Sequence, residues 1–164
     1  MTNSITILDQ LIRQAYGGEP GRDGVAWHGP SLMKLLDGVT AEMAARKPIG
    51  HFHSIWELVL HIAQWDEICS RRLRGENIST TTGDPEDWPE VQTVSEQAWS
   101  AALERLKRSQ AALLEAIGIL APEQLLETVP GWGWSKYLMI HGTLHHDLYH
   151  AGQIALVRKV VELG

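Results

Sequence analysis

An all-α four-helix bundle is the fold class this sequence predicts, and three observations carry the prediction. Four long segments repeat apolar residues at helical spacing, and each is bounded by start and stop signals. No run alternates apolar and polar residues as a strand would. At roughly 150 residues per domain, 164 residues make one domain, spanning 1–164.

The first segment is Ser4 to Tyr16, with Ile5, Leu8, Leu11, Ile12 and Ala15 on one stripe and Gly17-Gly18 as its stop. Short helices follow. Pro30 suits the first turn of one that ends at Leu36, with Ser31 as an alternative cap, and Thr40 caps Ala41 to Arg46. The second long segment has the clearest start. Ser54 and Glu57 have the spacing of a capping box, and Ile55, Leu58, His61, Ile62, Trp65, Ile68 and Cys69 run on to a stop at Gly75. Residues 76–91, rich in Thr, Pro and acids, read as a surface excursion. The third segment runs from about Ser95 to Ile117, with Trp99, Leu103, Leu106, Leu113 and Leu114 apolar and Glu104–Arg108 as an i,i+4 ion pair. A short helix over Ala121 to Glu127 and a Gly-rich turn precede Ser135, which caps a last helix reaching Glu162. Four long helices separated by loops suggest an antiparallel bundle, with long connections at 17–53 and 76–94.

Composition narrows the function classes. Fourteen basic against twenty acidic residues give a net charge of −6, which disfavours a nucleic-acid partner. The compact basic run Arg71, Arg72 and Arg74 reads as a helix end, where cations suit the dipole. The N-terminus lacks a signal-like apolar core and no stretch approaches the ~18 apolar residues of a membrane span, so a cytoplasmic protein without a membrane partner is expected. The single cysteine, Cys69, excludes an intrachain disulfide and sits on an apolar stripe, a poor place for a nucleophile.

Histidine is the unusual feature, with eight in the chain. At about 100° per residue, His146 and His150 lie about 40° apart and one turn along the last helix, so both rings can reach one ion. Asp147 stands where a zinc hydrolase would carry Glu, so that protease motif is absent. Met139, Gly142, Tyr149 and Gln153 share the face of the pair. His61, between Leu58 and Trp65 on an apolar face, is costly to bury unless a nitrogen finds a partner. The alternative for all three is a set of core histidines.

The stretches SIWELVLHIAQWD and HGTLHHDLYHAGQI together resemble the DinB/YfiT-like family of metalloenzymes. The resemblance covers most of the chain, including the Trp-rich connection around Trp88. It implies an up-down-down-up bundle and one divalent ion, nickel or zinc, at His61, His146 and His150, with Gly152, Gln153 and Ile154 completing the second motif. It also implies a small-molecule substrate, a homodimer, and either S-transfer with a low-molecular-weight thiol or hydrolysis. A non-catalytic metal or small-ligand binding protein is the alternative. No catalytic or cofactor-binding residue is assigned.

Other candidates carry two readings each. Glu57 either caps its helix or moves a proton, and Asp147 supports a ligand or faces solvent. His141 and His145 line the cavity or the outside, and His51 and His53 reach the bundle's open end or the surface. Trp65, Trp132 and Trp134 wall a pocket or pack in the core. Tyr149 offers a hydroxyl to substrate or packs, and Gln153 bonds within the bundle. As neutral imidazoles, the three ligands should release metal below about pH 6.

Overall fold

The computed structural model describes residues 3–48, 50 and 52–163, and it is an α-helical bundle with short additional helices. The four long helices are α1 (Ser4–Gly17), α4 (Ile55–Leu73), α5 (Glu96–Gly118) and α6 (Lys136–Leu163). Two one-turn helices, α2 (Leu32–Leu36) and α3 (Ala41–Ala45), fill the first long connection, and a 3-10 turn at Pro122–Leu126 precedes α6.

Most predicted ends stand. In α4, Ser54 Oγ accepts from Glu57 N at 3.1 Å and Glu57 Oε2 accepts from Ser54 N at 2.9 Å, a complete capping box. Ser135 Oγ accepts from Leu138 N at 3.2 Å at the start of α6. Three details differ. Pro30 is not in a helix: it pairs with Val25 in a two-residue antiparallel ladder, and Ser31 caps α2 through Lys34 N. Leu11 faces out at 41% exposure, while Ile5, Leu8, Ile12 and Ala15 are buried. Glu104 pairs with Lys107 at 2.7 Å and not with Arg108.

Side-chain pairings set the topology. Trp56 packs on Trp99, Arg105 bonds Glu67 and Arg74 bonds Glu115, so α4 and α5 run parallel. That corrects the antiparallel reading for the middle pair: the 76–95 connection is long enough to return the chain to the same end. His61 meets His150 while Trp65 meets His146, so α6 runs antiparallel to α4. The result is up-down-down-up.

The core has two apolar halves. One joins α2 and α3 to the first turns of α4 and α5 and the last turns of α6, with Ile55, Ile62, Leu106 and Ile154 fully buried. The other joins α1 to the opposite ends, around Leu73, Leu113, Ile117 and Ile140. Between them lies a polar layer of buried or half-buried side chains: His61, Asp66, Ser109, Gln110, His146, Asp147 and His150. Burying so many polar groups is costly unless each finds a partner, which makes this layer the place to look for chemistry.

Candidate metal centre

His61 projects from the middle of α4, and His146 and His150 from adjacent turns of α6. One nitrogen from each ring lies within 4.8 Å of the other two. His61 Nε2 and His146 Nε2 are 3.0 Å apart, inside the ~4.2 Å that two ~2.1 Å metal–nitrogen bonds can span. The fold thus brings the pair that spacing singled out, His146 and His150, together with His61 from the apolar face of α4.

The outer nitrogens fix the tautomers. His61 Nδ1 meets the backbone carbonyl of Asp87 at 2.6 Å, and a carbonyl only accepts, so Nδ1 carries the proton. His150 Nδ1 donates to Gln153 Oε1 at 2.6 Å, and His146 Nδ1 donates to Asp147 Oδ1 at 3.2 Å. Each ring is left with a bare Nε2 lone pair, and none can donate to another. Such a set repels itself unless something positive sits among the nitrogens, so the donor set fits a divalent cation.

Burial pushes the same way. His146 and His150 are held down at about 4, chiefly by burial, and for His150 also by the charge of His146. Burial lowers His61 too, against the Asp87 carbonyl, which favours its charged form. The rings therefore stay neutral well below the ordinary imidazole range, which moves proton competition lower than the pH 6 expected from unperturbed values.

The connection between α4 and α5 braces the site. Trp88 stacks on His61 with ring centroids 3.8 Å apart, and His53 stacks on the other face of Trp88 at 3.5 Å. His53 thus touches the centre only through Trp88, and His51 lies outside the described residues. Asp87 is 1% exposed; its Oδ1 accepts from Trp65 Nε1 at 2.7 Å and its Oδ2 from Gly83 N at 2.8 Å. Asp87 meets His61 Nδ1 through its main-chain oxygen at 2.6 Å and its carboxylate at 3.3 Å, and sequence reasoning missed it because no helical periodicity places a side chain of the irregular 76–91 stretch against the bundle.

A cavity of about 730 Å³ opens over the three histidines. Trp65, Trp88, Trp132 and Trp134 line it with Leu138 and Met139, so the pocket-wall reading of the tryptophans is the right one. Tyr149 also lines it, edge-on to His150. Cys69 and Thr143 reach the same cavity, but burial pushes the Cys69 thiol up to about 12, so it is no nucleophile. Gly142 leaves room beside the pair, as its spacing implied. His141 packs between Tyr137 and His145, tilted against the first and edge-on to the second, away from the cavity. Glu57 is taken up by its capping box and by Lys47 at 2.8 Å.

Behind His146 lies a second cluster that the sequence did not reveal. Asp66 is fully buried, bonded to Asp147, with Ser109 Oγ at 3.5 Å. Burial drives both carboxyls well above the ordinary range, and for Asp66 the charge of Asp147 adds to it. One proton shared by the pair, carried on Asp66 and given to Asp147, satisfies both acids. Asp147 is therefore a support for His146, as the first of its two readings had it.

A family model described as the DinB superfamily matches residues 26–154, which include all three histidines. No curated protein and no solved structure matches the chain at a significant level.

Proposed function

This chain belongs to the DinB superfamily, and from that premise we propose that it is a divalent-metal-dependent enzyme acting on a small molecule, with His61, His146 and His150 as the metal ligands. The observation that carries the reading is the convergence of three unprotonated Nε2 atoms at the floor of a largely aromatic cavity. Three protein nitrogens leave positions open for substrate, as catalytic rather than structural sites do. Zinc and nickel both suit an all-imidazole set.

Between the two reactions, S-transfer is favoured over hydrolysis. Hydrolysis needs a base placed to take a proton from water. Among the described residues lining the cavity the one carboxylate is Asp87, and both its oxygens are already engaged by Trp65 and Gly83. When bound, a divalent ion supplies a Lewis-acid centre that favours the thiolate of an incoming thiol, which removes the need for a protein base. With Cys69 held protonated, that thiol is a separate small molecule. The protein's own part is to hold the imidazoles neutral, exclude water with the indoles and leave an open face for the electrophile.

The test is an assay of the metal-loaded protein with low-molecular-weight thiols plus electrophiles, beside ester and amide panels. Thiol-dependent turnover, abolished in folded His61→Ala and His150→Ala variants, is expected. Ester or amide turnover without thiol would replace S-transfer with hydrolysis. Metal binding with no turnover in either panel would leave the non-catalytic binding module. A homodimer is part of this reading. Leu156, Val160 and Leu163 are exposed along one side of α6 and offer an apolar contact, and light scattering should give twice the 18.3 kDa chain mass.

A further inference from the structure

Arg72 lies in the last turn of α4, as its place in the basic run implied, yet it is 1% exposed and among the largest fully buried side chains. Its Nε and Nη2 donate to the carbonyl of Ile78 at 3.2 and 2.9 Å, and Nη2 also donates to the carbonyl of Thr80. The indole of Trp132 covers the guanidinium, with Cζ 4.1 Å from the ring centroid, and Trp65 lies at 5.8 Å. Trp132 is itself held by a bond from Nε1 to the Ile78 carbonyl at 3.0 Å. Gly131, at φ 76, lets Asn77 pack where a side chain would stand, so the turn carrying Trp132 can close on the 76–95 connection.

Carbonyls and indole faces solvate the cation, but they do not neutralise it. No carboxylate among the described residues pairs with Arg72, and burial is the main force on it, lowering its affinity for a proton. A guanidinium stays charged in proteins, so the cost of burial remains in the free protein. Its third nitrogen, Nη1, has no hydrogen-bond partner among the described residues, and Arg72 lines the cavity that holds His61, His146 and His150. Trp65 lies between the two, 6.0 Å from the ring of His146.

We propose that Arg72 is the anion-recognition residue of this cavity, and that the substrate is a carboxylate with an apolar or aromatic body. The carboxylate would accept from Nη1 and supply the missing negative charge, while the body lies on the indoles and its other end reaches the histidines. A phosphate fits less well, because one guanidinium leaves its second charge unmatched in an apolar pocket. The proposal deepens the functional reading above, in that it names the substrate class for the same cavity, and its test separates the two.

The experiment is calorimetric titration of chelator-treated, metal-free protein with 4-phenylbutyrate, 4-phenylbutan-1-ol and phenyl phosphate. The carboxylate should bind about 10-fold or more tightly than the alcohol, the scale of a hydrogen bond to a charged group, and more tightly than the phosphate. Arg72→Gln should erase that preference, and Arg72→Lys should keep part of it. Equal binding of acid and alcohol, or no binding of the acid, overturns the proposal. Tighter binding of the phosphate overturns the carboxylate assignment. Should Arg72→Gln not fold, guanidinium nitrogen resonances of the unaltered protein decide: the Arg72 signal must move with 4-phenylbutyrate and stay with the alcohol. Binding that requires added zinc, is lost in His150→Ala and survives Arg72→Gln would place the carboxylate on the metal, which overturns this inference and leaves the metal reading intact. Arg72-dependent binding in a protein that takes up no zinc would overturn only the metal reading.

Discussion

Two sets of titratable side chains meet at the seam of α4 and α6, on opposite sides of His146, and they accommodate burial in opposite ways. On the cavity side each imidazole commits Nδ1 to a fixed acceptor and turns a bare Nε2 toward its neighbours. On the other side Asp66 and Asp147 turn toward each other and are satisfied by a shared proton. The first set offers a cation three uncommitted lone pairs; the second offers none. Burial of polar groups is common to both, so burial alone does not mark a ligand site. The direction of the uncommitted lone pairs does.

Substitution should expose that difference most strongly in metal affinity. His61→Ala or His150→Ala should weaken zinc binding by more than ~100-fold in a chelator competition, beyond what loss of an outer-shell partner costs. Asp66→Asn should change it by less than ~10-fold, because Asp66 reaches a ligand only through Asp147. A large loss in Asp66→Asn would merge the two sets into one site. Gln153→Ala lies between these limits, at about 10-fold, since it frees the ring of His150 to turn.

The two sets should also oppose each other in the pH dependence of stability. His146 and His150 fall from ~6.5 when unfolded to about 4 when folded, so the unfolded chain binds more protons in that range. Their contribution is present above ~6.5 and lost as pH falls through about 4. The acid pair has the reverse sign: raised in the fold, its contribution is full below the unfolded ~3.9 and is lost as pH rises through the folded value. Urea unfolding of metal-free protein should therefore show an acid limb that weakens in a His146→Ala, His150→Ala double variant. Asp66→Asn should keep a donor toward Asp147 without an ionisable proton and raise stability at pH 8 by about 1 kcal/mol. Destabilisation there would show that the pair favours the fold when charged.

The imidazole set was legible in the sequence and the acid pair was not, for physical reasons. The three histidines announce themselves locally: two share a helix face by spacing, and the third interrupts an apolar stripe whose start is fixed by Ser54 and Glu57. Asp66 and Asp147 are far apart in the chain and no spacing pairs them: Asp66 falls on the apolar stripe between Ile62 and Cys69, and Asp147 alone reads as a ligand's support or a solvent-facing acid. Arg72 sits among arginines that do face solvent, and only the return of the chain at Ile78 and Thr80 buries it. The parallel run of α4 and α5 followed only from the family resemblance and its up-down-down-up order, because a long connection allows either direction and helical periodicity carries no sign.

The central claim is that the three imidazoles hold an ion, and elemental analysis tests it most directly. Protein dialysed against zinc and then freed of loosely bound metal should retain about one divalent ion per chain. The folded triple variant His61→Ala, His146→Ala, His150→Ala should retain none. An equal metal content in the two proteins would contradict the account.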